Sequence, residues 1–358
     1  MPRSPHPLQR ETPPPSSMRG IAFLGIPMIC FIVLWIISTP VIDWDSMENW
    51  LIKSKMIFHQ KNLNLQYTYD DHNEYPILWP LSVAAQFTLA SGDYDEISKW
   101  ASALFFVIFL TQLNKGLQLL NVSKKYFWGI LLIYIAFFVS SIPFISALPE
   151  IPFLTFLSAF FVSVFLWLEA PQDKKRFILI LIITLGLNLI KLEGFVATTF
   201  IAFCLFFAVR KNLSTRYLGF CTSIILLTTL LPLLWIKWVN MQGFASGISH
   251  FEGGLSFKKL PLLIKTNMSY FLYHGEWNVF LIPIAYLTFF PNKRQWNERE
   301  IFLLRVCILL MLFKWFAMIG WEVGWISSKG LYPDTTWRLF LHVSPSLILL
   351  GSSRAFNR

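Results

Sequence analysis

Charge is what this sequence has least of: Asp, Glu, Lys and Arg together make up 14% of it, against 55% hydrophobic residues. Soluble domains carry roughly a quarter of their residues charged, so an ordinary water-soluble globule is excluded. Cysteine is scarce as well, four in all. Cys30, Cys204, Cys221 and Cys307 fall inside hydrophobic runs, with none of the spacings that mark a metal site or a disulfide framework, and read as packing residues. No polar stretch is long enough for a soluble domain, the longest being 39–97 and 239–277. The alternating polarity of a membrane barrel strand is missing too: ILLIYIAFFV and FILILIITLGLNLI are apolar on every side. The formal charge of +10 comes from Lys and Arg in short clusters rather than along one face, which excludes a nucleic-acid surface.

What remains is an all-α polytopic membrane protein. Residues 1–20, rich in Pro and Ser, read as a disordered cytoplasmic tail ahead of an uncleaved first span over Ile21–Ser38. Further spans are expected near 98–120, 126–146, 151–169, 177–191, 194–210, 216–238, 278–291, 300–320 and 337–352, about ten in all, followed by a cytoplasmic tail over 353–358. The apolar stretch 77–90 is short and begins with Pro76 and Pro80, so it reads as re-entrant or interfacial. Leaving it out of the count puts every basic loop cluster on the side of the N-terminal tail, as the positive-inside rule requires. The opposite, extracytoplasmic side then receives 15 of the 20 acidic residues. On that side lie two large loops, 39–97 and 239–277. The first is expected to hold a surface helix over Ser46–Gln60 with Met47, Trp50 and Ile57 on one face and Lys53 and Lys55 turned elsewhere; the second has Leu260, Leu263 and Ile264 set against Lys258, Lys259 and Lys265.

On this topology five separated features converge on one side: Asp43-Trp-Asp45, His72 to Pro76, Pro149-Glu150, Lys191-Leu-Glu193-Gly194 and Arg338. Ionisable residues beside apolar spans are costly and usually face a watery cavity or one another. Blander readings stand beside each of them. Lys191 and Glu193 suit a helix-hairpin turn helped by Gly194, Asp43 and Asp45 suit an N-cap for the helix after them, and His72 suits a solvated loop. His250, His274 and His342 read as bland.

The order Asp45, Trp50, Lys53-Ser-Lys55, His72-Asn-Glu74-Tyr75-Pro76, Ala147-Leu-Pro-Glu150-Ile-Pro, KLEG and Trp337-Arg338-Leu-Phe-Leu-His-Val-Ser-Pro345 resembles that of bacterial GT-C integral-membrane glycosyltransferases, near the dolichyl-phosphate-mannose-protein mannosyltransferase-like (family 39-like) branch. The resemblance spans residues 20 to 352. It implies a GT-C-like bundle over 21–352 with extracytoplasmic interfacial helices. Two departures stand out: Glu150 occupies a position where the family more often has Asp, and no C-terminal soluble domain is expected.

The resemblance further implies an inner-membrane enzyme that moves a sugar from a polyprenyl-phosphate-linked donor to an extracytoplasmic hydroxyl on a glycan, lipid or protein, with inversion. Asp45, or else Asp43, would be the general base. Lys53, Lys55, Lys191 and Arg338 are the candidate phosphate cations, Lys191 and Arg338 foremost. His72, Glu74, Tyr75, Glu150 and Glu193 would line the substrate pocket. Asp43, Asp45 and Glu150 could instead bind a divalent cation. The lipid chain would need a groove, for which the walls around Phe137, Phe138, Phe160 and Phe161 are candidates, with plain lipid-facing or packing residues as the alternative reading of those Phe. The competing reading is a transporter or flippase of lipid-linked sugars, which calls for paired broken helices at mid-membrane depth.

Overall fold

The computed structural model describes residues 16–41, 46–64, 73, 75–123, 126, 128–130, 147–209, 218–219, 222–223, 225–227, 230–244, 261, 295–320 and 342–356. Among these there is no strand. The helices are α1 (Ser16–Ser38), a π-helical segment (Ser46–Leu51) running into α2 (Ile52–Gln60), α3 (Leu78–Ala90), a 3-10 turn (Asp95–Ile97) leading into α4 (Ser98–Leu119), α5 (Glu150–Glu169), α6 (Lys174–Ile190), α7 (Glu193–Val209), α8 (Leu231–Met241), α9 (Glu298–Gly320) and α10 (Ser344–Phe356).

α5 is the axis of the bundle. Its sequence, EIPFLTFLSAFFVSVFLWLE, is apolar all round, the pattern of a helix enclosed by others. It packs on α4, α6 and α10, and no side chain before Glu169 is exposed. Phe160 and Phe161 are therefore fully buried core residues rather than walls of a lipid groove; Phe137 and Phe138 lie outside the described residues. The Thr155 hydroxyl donates to the Phe105 carbonyl at 2.8 Å near the start of both helices, and Arg299 bonds Glu169 and the Leu119 carbonyl at their ends, so α5 runs parallel to α4. α10 runs the same way, with His342 against Phe153 near its start and Leu349 against Gly116. α6 and α9 run back.

Among the described residues two helical stretches are long and apolar enough to cross a membrane, Asp95–Leu119 and Glu150–Glu169; Gly25–Ser38, Leu78–Ala90, Glu193–Phe207 and Ile225–Met241 are shorter apolar helices. α3, with 13 residues, is only about 20 Å long at 1.5 Å per residue, well short of a ~30 Å hydrocarbon core. It ends at Ser91 in the left-handed conformation, φ 56°. Trp79, Val83 and Phe87 bury it against Trp50, Leu51, Ile97, Ala147 and Leu148, with Val41 at the edge of the same cluster. The end of α1 and the start of α4 thus lie at one end of the bundle, and α3 does not carry the chain to the other.

Three boundaries differ from the sequence reading. Helix α1 begins at Ser16, inside the expected tail. α10 continues through Phe356, with Arg354 buried, where a tail was expected. The expected surface helix is two elements, and its faces are different. The wider π-helical turn takes Met47 out of line with Trp50 and Ile57, leaving it exposed, while Lys53 joins the buried stripe Trp50–Lys53–Ser54–Ile57. Of the loop 239–277 only residues 239–244 and 261 are described, so Leu260, Leu263 and Ile264 with Lys258, Lys259 and Lys265 lie outside the described residues.

Opposite ends of the bundle carry different chemistry. At the far end Arg299 bonds Glu169 at 3.1 Å and the Leu119 carbonyl, Arg176 bonds Asp173 at 3.3 Å and the Leu166 carbonyl, and Arg354 lies over the Trp296 ring at 4.4 Å. The Ser353 hydroxyl donates to Glu300 at 2.7 Å. Three basic clusters read from the sequence therefore meet there, tying the ends of α4, α5, α6, α9 and α10 together. The other end holds the candidate site.

Candidate active site

The site is built where two apolar runs are interrupted. α6 would continue into α7 but for Lys191, whose backbone is extended (φ −152°, ψ 146°). Glu193 then starts α7, and the Gly194 amide returns to the Lys191 carbonyl at 2.9 Å. Gly194 permits this closeness: a Cβ there would drive into the Leu187 carbonyl oxygen, which is backbone and cannot step aside. Below the break the buried Thr198 hydroxyl donates to Asn188 at 3.1 Å and to the Gly194 carbonyl at 2.8 Å, stitching α7 to α6.

Glu150 arrives from the other side. The buried Trp79 indole donates to the Ala147 carbonyl at 2.8 Å and fixes the approach of Ala147-Leu-Pro to α5. Glu150 is the first residue of α5, where a carboxylate meets the positive end of the helix dipole. Its Oε1 lies 3.0 Å from Lys191 Nζ, and Glu193 Oε1 lies 3.1 Å from the same ammonium. The side chains of Glu150 and Lys191 are 0% and 6% exposed. An isolated charge at that depth would be prohibitively costly, so these three depend on one another.

A second group comes from the first loop. Lys53, buried, has its ammonium 6.0 Å from the centre of the Tyr75 ring, and Tyr75 lies 5.3 Å from Trp50 in a tilted pair. Trp235 of α8 donates its indole N–H to the carbonyls of Asn73 and Tyr75 at 3.1 and 3.0 Å. Trp50 and Tyr75 pack with Ala147 and Leu148, which links this group to the foot of Glu150. The fold is shared with ArnT. The crystal structure of ArnT from Cupriavidus metallidurans bound to undecaprenyl phosphate matches with a TM-score of 0.63 at 12% identity, over 94% of this chain and 60% of ArnT. The chain thus spans about 60% of that protein's length. No protein-family model matches the sequence, and no curated protein does. At this identity the likeness is one of fold alone: this chain shares the helical architecture of ArnT.

Of the residues singled out from the sequence, the structure brings Glu150, Lys191 and Glu193 into contact, and Lys53 close to Tyr75. Lys55 is turned outward, 2.7 Å from Asp95. Next to it His59 meets Asp93 at 3.0 Å, and this hydrogen bond holds the Asp93 carboxyl below its ordinary 3.8. A depressed carboxyl stabilises the fold above its unfolded pKa, and the contribution is lost as pH falls through the lower folded value. Asp43, Asp45, His72, Glu74 and Arg338 lie outside the described residues. Among the described residues no three His, Cys, Asp or Glu side chains come together as a metal site, and the Lys191 ammonium already holds Glu150 Oε1.

Three residues of this end had no signal in the sequence strong enough to be chosen. His342, read as bland, is buried with its ring 4.4 Å from that of Phe153, one turn above Glu150. Lys99 is fully buried in the first turn of α4. Glu150 is likewise fully buried in the first turn of α5, the helix that packs on α4. Trp235 was one of 15 tryptophans and nothing local distinguished it.

Proposed function

We propose that this protein is a membrane glycosyltransferase that moves a sugar from a polyprenyl-phosphate-linked donor onto an extracytoplasmic hydroxyl of a glycan, lipid or protein. The observation that carries this reading is the Glu150–Lys191–Glu193 array, buried at one end of a helical bundle with the fold of a protein that binds undecaprenyl phosphate. A scaffold has no use for three charges at that depth, and a transporter of the paired-broken-helix kind would place its helix break near the middle of the bundle. Here the break lies at the end.

In the proposed reaction Asp45, or else Asp43, takes the proton from the acceptor hydroxyl, which attacks the anomeric carbon from the face opposite the lipid phosphate and inverts it. The phosphate departs as a stable anion and needs positive charge more than a proton. Lys191 and Arg338 supply that charge, with Lys53 behind Tyr75 and Lys55 at the rim. Glu150 and Glu193 hold the Lys191 ammonium in one place, so that little reorganisation is needed when the phosphate charge develops. His72, Glu74 and Tyr75 line the sugar. The protein would sit in the inner membrane with this end extracytoplasmic.

The test is Asp45→Asn in purified protein given a radiolabelled polyprenyl-phosphate sugar and a membrane-lipid acceptor extract. Transfer should fall by at least about a hundredfold, the usual share of a general base, while donor binding persists. Unchanged transfer would remove Asp45 as the base, and loss of lipid movement across vesicles instead of transfer would favour the flippase reading.

A further inference from the structure

Trp235 and Trp238, three residues apart on α8, stack with ring centres 4.9 Å apart and planes 28° from parallel. Phe244 meets Trp238 edge-on at 5.6 Å. All three rings are half-buried, and the exposed Gln242, four residues after Trp238 and seven after Trp235, follows on the same side of the helix. This aromatic group is attached to the site directly, through the two hydrogen bonds from Trp235 to the Asn73–Tyr75 turn. The helix beneath is held by its buried Pro232 and Val239 and packs on α6, which ends at Lys191.

A tryptophan of the membrane interface normally keeps its N–H for water and headgroups. The Trp235 N–H is turned inward instead and consumed by two protein carbonyls, which fixes the plane of its ring and of the ring stacked on it. Fixed, half-exposed indole faces carry a negative quadrupole that suits the weakly positive C–H face of a sugar ring. The amide of Gln242 offers donors and acceptors of the kind hydroxyls need. Given the reading of the site as one that handles sugars, on which this rests, we infer that Trp235, Trp238 and Phe244 form a subsite for a pyranose ring of the sugar-bearing substrate, beside the Tyr75 turn.

The experiment is saturation-transfer NMR on the full chain in lipid nanodiscs, with the methyl glycosides of glucose, galactose, mannose and N-acetylglucosamine as probes. At least one should receive saturation, concentrated on the C–H protons of one ring face. Trp238→Ala should weaken its binding about fivefold, Trp238→Phe should restore part of the loss, and Trp235→Phe, which keeps a ring but no N–H, should fall between. Each variant is first shown to be folded by its elution and melting temperature. The subsite is overturned if no glycoside receives saturation, or if folded Trp238→Ala binds as the parent does, which would make these rings a membrane belt. No lipid donor and no Asp45 enter this measurement. A negative result beside intact Asp45-dependent transfer removes the subsite alone; Trp238-dependent sugar binding beside transfer indifferent to Asp45 removes the proposed reaction alone.

Discussion

Lys191 holds two carboxylates at once, so the three residues of the array respond differently to deletion. Lys191→Met removes the ammonium that Glu150 and Glu193 share and should cost about 3–5 kcal/mol. Glu150→Gln keeps Lys191 paired with Glu193 and should cost far less. The double variant Lys191→Met with Glu150→Gln should melt higher than Lys191→Met alone, with about 1–3 kcal/mol of coupling in a thermal cycle; a purely additive result would mean the ion pair is not formed. All three residues of this array were singled out from the sequence, Lys191 and Glu193 because they interrupt an apolar run and Glu150 at the mouth of a span, but Glu150 is 41 residues from Lys191 and only the packing of α6 on α5 shows the pairing. Lys53 was misread because its burial depends on a π-helical turn, which no spacing of residues announces.

Helix by helix, the same logic separates what periodicity can tell from what it cannot. α5 was readable as a span because it is uniformly apolar, yet uniform apolarity does not distinguish a helix facing lipid from one enclosed by its neighbours. That ambiguity put Phe160 and Phe161 on a lipid wall when they are core. The α6–α7 break was readable from KLEG, but the demand it places on Gly194 comes from the Leu187 carbonyl across the turn. Gly194→Ala should therefore sharply lower the recovery of monodisperse protein in gel filtration. Gly116→Ala makes an instructive contrast. A Cβ there meets Leu349 Cδ2 at 2.8 Å, the far end of a flexible side chain, so that variant should remain folded and melt only slightly lower. Equal tolerance of both would mean that the turn is looser than drawn.

Across the molecule, one end is fastened by arginines to helix ends and carbonyls and the other gathers buried charge around the start of α5. Arg176, Arg299 and Arg354, far apart in the sequence, meet at one end of the bundle. The parallel run of α4 and α5 follows from the expected topology, which sets one span, 126–146, between them, but that α5 would pack on α4 was not foreseeable. Their shared direction gives both helices their first turns at the same end of the bundle, where Lys99 and Glu150 are both buried.

Because α5 is wrapped by protein along nearly its whole length, neither water nor headgroups lie beside its backbone. In deuterated buffer its amides should be the last of the described helices to exchange, well after those of the short α3 and of α8 with its exposed Leu233 and Leu234. Early exchange in α5 would show that the wrapping opens. If it stays closed, the carboxylate at its head is mounted on the slowest-breathing part of the protein, a fixed benchmark against which any moving substrate can be positioned.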